Sequence, residues 1–418
     1  MRFWTRFWIG CAVFSVLWLA YVVTDFATDG WTLQRHARPS GSVTDQKAGQ
    51  GAPASSSRRA DADAAGIVTR TGRGGVARQL PAMAPQVDAA LNDLNPGNAE
   101  SLSAEAPAKV RGNSREPDVF AQLRSSKDRP VSPEVRALAE EITRDATNGV
   151  GKARAIYDWI ASNIIYDTEE WENIVRGADG YIHDHSPEAV LERGSAVCIG
   201  YAWLFDDLCE AAGIEATWLV GDVRGYRGTI DDELVSDVRH AWNAVKLDDG
   251  EWHLLDLTWG ARQDGEDAGS KSAKERADYY FDTPPGQFVY DHLPEDESWQ
   301  LLEESIPSQS AFAVLPNLKP TFFTNGLGLE SDLAGVLRAS SGKKAVLPFS
   351  APRGVQVAAT IGTGGGDFRR IRVLGSGGGG RAAVLPELSP GEYILRLYSG
   401  SGESRMLECS ADFLIRIE

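Results

Sequence analysis

The chain has 418 residues, a net charge of −17 and 42% apolar residues, enough for more than one folded unit. Its charge is uneven. Residues 116–418 hold 29 Lys/Arg against 50 Asp/Glu, whereas residues 30–115 hold 11 against 7. An acidic folded part excludes nucleic acid as a partner, since phosphate contacts need Lys and Arg.

The N-terminus opens with Arg2 and Arg6 and then the apolar run FWIGCAVFSVLWLAYVV over 7–23, followed by Asp25 and Asp29. At ~1.5 Å per residue this run reaches roughly 26 Å, near the ~30 Å of a hydrocarbon core. Its flanking charges place the N-terminus in the cytoplasm and the rest outside, periplasmic in a Gram-negative cell. The expectation is a single-pass membrane anchor over 1–29. A cleaved signal peptide, giving a secreted protein, is the alternative. Residues 30–116 are rich in Ala, Gly, Ser, Pro and Arg without an apolar period, as in GQGAPASSSRRADADAAG. Such a segment cannot bury enough surface to offset its ordering entropy, so a disordered linker is expected.

Order is expected from 117. SPEVRALAEEITRDAT (132–147) has a Ser cap and Pro at the first helical position, with Val135, Leu138 and Ile142 on one face. GVGKARAIYDWIASNIIYD (149–167) sets Ala155, Ile156, Trp159, Ile160 and Ile164 at helical spacing. SPEAVLER (186–193) is a third short helix, and a fourth runs from Cys198 to about Ala212, closed by Gly213. ATWLVGDV (216–223), HAWNAVKL (240–247) and EWHLLDLTW (251–259) have the pattern of strands, with a polar loop over 224–239 and a polar insert over 261–278. Helices followed by hairpin-linked strands define an α+β domain over 117–305. From 306 to 418, short alternating stretches separated by GTGGGD and GSGGGG indicate an antiparallel β-sandwich. The glycine runs lack the Lys-Ser/Thr ending of a phosphate loop, so they are turns.

Three residues stand out chemically. A thiol attacks as its thiolate, and Cys198 sits at a helix start, where the macrodipole favours negative charge. Cys209 lies on the same helix about 16 Å away, beyond the ~7 Å that a disulfide allows. A bridge from Cys209 to Cys409 is conceivable from sequence, and Cys198 is then the unpaired thiol. DDG (248–250) suits a three-residue turn with Gly250 left-handed. That turn pairs Leu247 with Glu251 and His240 with Thr258. His240 and Asp256 then become diagonal neighbours on one face, ~7–8 Å apart at Cα. His253 falls on the opposite face. A cysteine nucleophile, a histidine base and an orienting aspartate are the parts of an acyl-transfer site. The pair of histidines in HDH (183–185) forms no ligand set by itself, and neither a metal nor a cofactor is expected. Trp242, Trp252 and Trp259 serve as cleft wall or core, core for at least two of them, and His292 packs.

These frames resemble the transglutaminase-like superfamily within the papain-like cysteine enzymes. The matching stretches are VCIGYAWLF, GIEATWLVGDV, HAWNAV, WHLLDLTWG and the preceding KARAIYDWIASNIIYD. YYFDTPPGQFVYDHLPEDESWQLL (279–302) further resembles kyphoscoliosis-peptidase-like proteins. The resemblance implies a transglutaminase-like fold and makes Cys198 the nucleophile, His240 its base and Asp256 the orienting carboxylate. The Cys198 backbone would supply one oxyanion donor, with Trp171 and Tyr181 the candidates for a second. It implies a cysteine peptidase or amidase acting on a protein or peptide; with the expected anchor, peptidoglycan peptides, envelope proteins and a secreted partner are all open as substrates. A transglutaminase using the same triad and a non-catalytic binding module are the alternatives.

Overall fold

The computed structural model describes residues 99–104, 120, 124, 129–175, 183–224, 239–263, 265–329, 334–364, 366–375, 378–401 and 406–418. Among them no helix is long and apolar enough to cross a membrane. The anchor expected over 1–29, most of the expected linker, Tyr181 and residues 225–238 of the expected loop lie outside the described residues.

The first strands, β1 (Glu100–Ser101) and β2 (Ser103–Ala104), fall inside the segment expected to be linker. They join the C-terminal sheet, so the linker expectation is corrected at 100–104. Helix α1 (Pro133–Ile142) follows, its Val135 N–H donating to the Ser132 hydroxyl at 3.3 Å. Proline at the first position loses nothing, because its missing N–H would have had no helical partner. Helix α2 (Gly149–Asn163) is capped by Asn148 Oδ1 and buries Ala153, Ile156, Tyr157, Ile160 and Ala161. Its core face is turned slightly from the expected one, since Ala155 and Trp159 are only half-buried. Tyr157 takes the inner place, where its hydroxyl donates to the Asp256 carbonyl at 3.3 Å.

Strand β3 (Ile165–Tyr166), helices α3 (Thr168–Val175) and α4 (Pro187–Arg193), and strand β4 (Ser195–Ala196), parallel to β3, lead into helix α5 (Cys198–Ala212). Strands β5 (Ala216–Val223), β6 (Arg239–Lys246) and β7 (Trp252–Leu255) then form a sheet. They are followed by the helical turn α6 (Leu257–Gly260), helices α7 (Lys271–Tyr280) and α8 (Pro285–Phe288), and strand β8 (His292–Pro294). The sheet order is β7-β6-β5-β8, antiparallel throughout. Central strand β6 is buried from His240 to Val245 because both of its faces are covered. Helix α5 packs on one side, and Leu219, Trp242, Leu254 and Phe288 cluster on the other.

One expectation needs correction here. The strand expected over 251–259 stops at Leu255, because Asp256 turns the chain by capping α6. The polar insert at 261–278 contains most of α7, capped by Ser270. The turn itself has the expected form. Gly250 has φ 81°, and the Leu247 N–H donates to the Glu251 carbonyl at 3.1 Å. Asp248 ties this turn to the start of α2, accepting from the Gly149 and Val150 N–H groups at 3.0 Å each.

Gly221 fixes where β8 can lie. A Cβ there would sit 2.1 Å from the Leu293 carbonyl oxygen and 2.7 Å from both the Pro294 Cα and the Trp242 ring. Two of these three neighbours are backbone and cannot swing away. Gly221→Ala is therefore expected to destabilise by about 2 kcal/mol or more, the scale of overpacking a core. Urea unfolding measures it, and a variant as stable as wild type would refute the close approach.

The C-terminal part contains α9 (Gln309–Ala313), β9 (Asn317–Leu318), α10 (Pro320–Thr324), β10 (Val336–Ala339) and β11 (Ala345–Ser350). Strands β12 (Gln356–Gly362), β13 (Arg369–Gly375), β14 (Gly380–Leu385), β15 (Gly391–Gly400) and β16 (Glu408–Ile417) complete it. The strands run β1-β11-β14-β13-β12-β15-β16-β10-β2, with β9 on β16. β13 pairs with β12 through its first half and with β14 through its second, joining the two layers. The expected antiparallel sandwich is thus a folded, continuous sheet, in which β1–β11 and β10–β16 are parallel. Leu337, Leu347, Phe349, Ile361, Leu395, Phe413 and Ile415 fill it.

Candidate active site

Cys198 is the first residue of α5 and is 3% exposed. No side chain caps this helix: Val197 holds the cap position in an extended conformation. Amide dipoles at such a terminus favour an anion. Around the thiol pack Val197, Ile199, Ala202, Trp203, Val220 and Ala241, with Tyr166 and Trp171 at the margin.

His240 is the second residue of β6, opposite Gly221. Its ring is 5.4 Å from that of Trp259 and 6.1 Å from that of Trp242, both near-parallel to it. Trp242 is buried, while Trp252 and Trp259 are half-buried. His240 Nε2 lies 2.8 Å from Asp256 Oδ2, which leaves Nδ1 as the nitrogen for Cys198, the other side chain that acts electrostatically on this ring. Asp256 is fully buried and does two jobs. Oδ1 accepts the Trp259 N–H at 3.0 Å, capping α6, and Oδ2 faces the imidazole. The structure therefore brings Cys198, His240 and Asp256 together.

The electrostatics follow from burial and proximity. Burial alone would push the His240 pKa down, but the Asp256 carboxylate overrides it and raises it to about 10. Burial likewise works against the Asp256 charge, yet His240 and then His292 hold that carboxyl well below its ordinary 3.8. At neutral pH the pair is an imidazolium and a carboxylate.

The sign of the pH dependence is fixed by these directions. A raised histidine contributes stability that is complete below its unfolded value of 6.5 and disappears as pH rises through about 10. A depressed aspartate contributes stability above its ordinary 3.8 that is lost as pH falls further. Half-exposed His253, raised to about 9 mainly by its bond to Asp282, titrates in the same alkaline window. The difference between wild type and His240→Ala removes that contribution. The unfolding free energy of wild type is expected to fall relative to the variant between pH 6.5 and about 10. Parallel urea-derived profiles would contradict the pairing.

The other singled-out residues are placed as follows. Trp171 packs against the Cys198 cluster. His253 points away from the site, 2.6 Å from Asp282 and 3.2 Å from Asp249. Cys209 and Cys409 are both free thiols, so the conceivable bridge between them does not form. Burial pushes the Cys209 thiol well up, and burial with nearby Asp412 pushes Cys409 up to about 12. His185 Nε2 and His183 Nδ1 lie 3.2 and 3.1 Å from the two oxygens of buried Glu170. Asp167, Glu170 and His183, and separately His240, Asp256 and His292, have ligand atoms spaced closely enough for a metal ion. In the second group both imidazoles already bond to the carboxylate.

Sequence reasoning gave His292 a packing role and missed its place at this site. It is opposite Val223 on β5, and His240 is opposite Gly221, so both project from one sheet face. That parity is the signal, but it depends on β8 pairing with β5, which no local pattern announces.

The sequence profile of the transglutaminase-like superfamily matches residues 136–257, from α1 to just beyond Asp256. Residues 136–257 thus match a transglutaminase-like domain, and the chain is similar to proteins of that superfamily. It is similar to the kyphoscoliosis peptidase of Mus musculus, 30% identical over 218 residues, 52% of this chain and 31% of that protein. The kyphoscoliosis peptidase of Homo sapiens is 31% identical over 211 residues, 50% of this chain and 30% of that protein. Hillarin of Drosophila melanogaster is 28% identical over 201 residues, 46% of this chain and 23% of that protein. The chain spans less than a third of the length of each of these relatives.

Proposed function

We propose that the protein is a cysteine hydrolase of transglutaminase-like type, acting on peptide or amide bonds of a protein or peptide substrate. The observation that carries this is the 2.8 Å bond between His240 Nε2 and Asp256 Oδ2, with Cys198 at a helix start beside the same imidazole. Two relatives named peptidases support the direction. The Cys198 thiolate attacks the carbonyl carbon, a C–S bond forms, and the carbonyl π bond breaks to an oxyanion. The oxyanion is met by the Cys198 backbone N–H, with Trp171 and Tyr181 the candidates for a second donor. The C–N bond breaks as the His240 imidazolium gives its proton to the leaving amine, leaving a thioester. Water, losing a proton to the now neutral His240, cleaves the thioester to an acid as the sulfur leaves as thiolate, which restores the thiolate and imidazolium. Asp256 keeps the imidazole oriented and stabilises its charged form. With residues 7–23 as an anchor, the reaction takes place outside a membrane, on an envelope substrate.

The acceptor separates this reading from the transglutaminase alternative. Full-length protein is incubated with peptide amides, with and without a primary amine, and the products are resolved by mass. Hydrolysis yields the acid in both cases. An amine adduct at the expense of acid would make the protein a transglutaminase. Neither product would leave a non-catalytic scaffold.

A further inference from the structure

Asp256 serves two histidines, and one of them has no part in the chemistry above. His292 is fully buried at the start of β8, with Nε2 3.0 Å from Asp256 Oδ2, the oxygen that also faces His240. Its Nδ1 lies 2.6 Å from Asp291 Oδ1. The ring is stacked on Phe288, with centroids 3.9 Å apart and planes 17° apart. Trp259 at 4.5 Å and Trp242 at 4.9 Å close the other sides, so the imidazole is held in one orientation.

We propose that His292 is a positioning residue: it holds Asp256 Oδ2 on the line to His240, while Asp291 fixes the His292 ring from behind. The proposal rests on the reading of Cys198, His240 and Asp256 as the reacting group. The physical argument concerns the carboxylate. Asp256 sits at the head of a single helical turn, and one bond to the Trp259 N–H anchors only Oδ1. A bond from His240 alone would let the two side chains swing together. A donor fixed independently, on another strand, pins the second oxygen. Misplacement on the scale of 1 Å can cost about 10²-fold in rate, so such a pin has something to gain.

A packing role alone would not select histidine. Three aromatic rings surround the site, and phenylalanine would fill it without placing an imidazole between two carboxylates in a dry interior. Burial lowers the His292 pKa, but Asp291 and Asp256 outweigh it and raise it above its ordinary 6.5, and each ring nitrogen faces a carboxylate. The charged and titratable groups around it are Asp256, His240 and Asp291. Beyond Asp291 lie the Tyr280 hydroxyl at 3.5 Å and the cations of Arg224 and Lys319.

The test uses the full-length protein and two readouts. The first is the solvent-exchange rate of the proton on His240 Nε2, followed by NMR in a Cys198→Ala background that cannot turn over. The second is the alkylation rate of Cys198 by iodoacetamide. His292→Phe keeps the ring shape and removes both donors, whereas His292→Gln keeps one donor for Oδ2. In His292→Phe the His240 proton is expected to exchange at least about tenfold faster and alkylation to slow by about tenfold, with Gln recovering most of both. A folded Phe variant with both readouts unchanged would overturn the proposal. Should the Phe variant not fold, Asp291→Asn carries the test: the same losses, smaller in size, support it, and unchanged values overturn it. If the proton responds while wild-type Cys198 proves unreactive, the hydrolase reading fails and the positioning role stands.

Discussion

Cys198→Ala is expected to abolish turnover of any amide substrate, by about 10⁴-fold or more, while leaving the fold nearly as stable as wild type. The reaction passes through a bond to the sulfur, and nothing else in the site can form it. Removing a nucleophile from a set that acts as a unit typically costs about as much as removing the whole set. The structural cost is small. The change removes one sulfur from a well-packed cluster at a helix start, about 1 kcal/mol by analogy with small core truncations. Cys209→Ala on the same helix is the control, since its thiol is fully buried and faces the helical core. Steady-state rates and urea unfolding of both variants check this. Residual activity in Cys198→Ala above a few per cent would point to another nucleophile.

Asp256→Ala is expected to lose both stability and activity, and Asp256→Asn chiefly activity. The alanine change leaves two buried imidazoles, at 2.8 and 3.0 Å, without their shared carboxylate. Breaking a buried pair by removing one partner costs about 3–5 kcal/mol. It also removes the cap from α6, worth about 1 kcal/mol. Asparagine can still accept the Trp259 N–H, so the cap survives. It cannot supply the charge that holds His240 as imidazolium, and activity should fall about 10²–10⁴-fold. The expected order of stability is wild type, then Asn, then Ala, with both variants poor catalysts. A fully active Asp256→Asn protein would show that the carboxylate charge is not needed.

How far the site was legible depends on how local its contacts are. His240 and Asp256 are joined by one hairpin, and DDG with its left-handed Gly250 specifies the register. The end of β7 was harder, because Leu255, Leu257 and Trp259 alternate like a strand while Asp256 acts as a helix cap. His292 escaped because its place depends on β8 meeting β5 beside Gly221, a non-local pairing. The same reason hid β1 and β2. Their partners, Ala345 and Leu337, lie far along the chain, and two-residue strands carry no period of their own. The link between the layers at β13 is likewise a property of pairing rather than of sequence pattern.

The most direct test of the central claim is the relative reactivity of the described thiols. By access alone, half-exposed Cys409 should label before Cys198, which is 3% exposed, and Cys209 should label last. If His240 activates Cys198, brief treatment with iodoacetamide followed by peptide mapping finds Cys198 labelled first, and His240→Ala removes its lead. Cys198 labelling no faster than Cys209 in the folded wild-type protein would contradict the account.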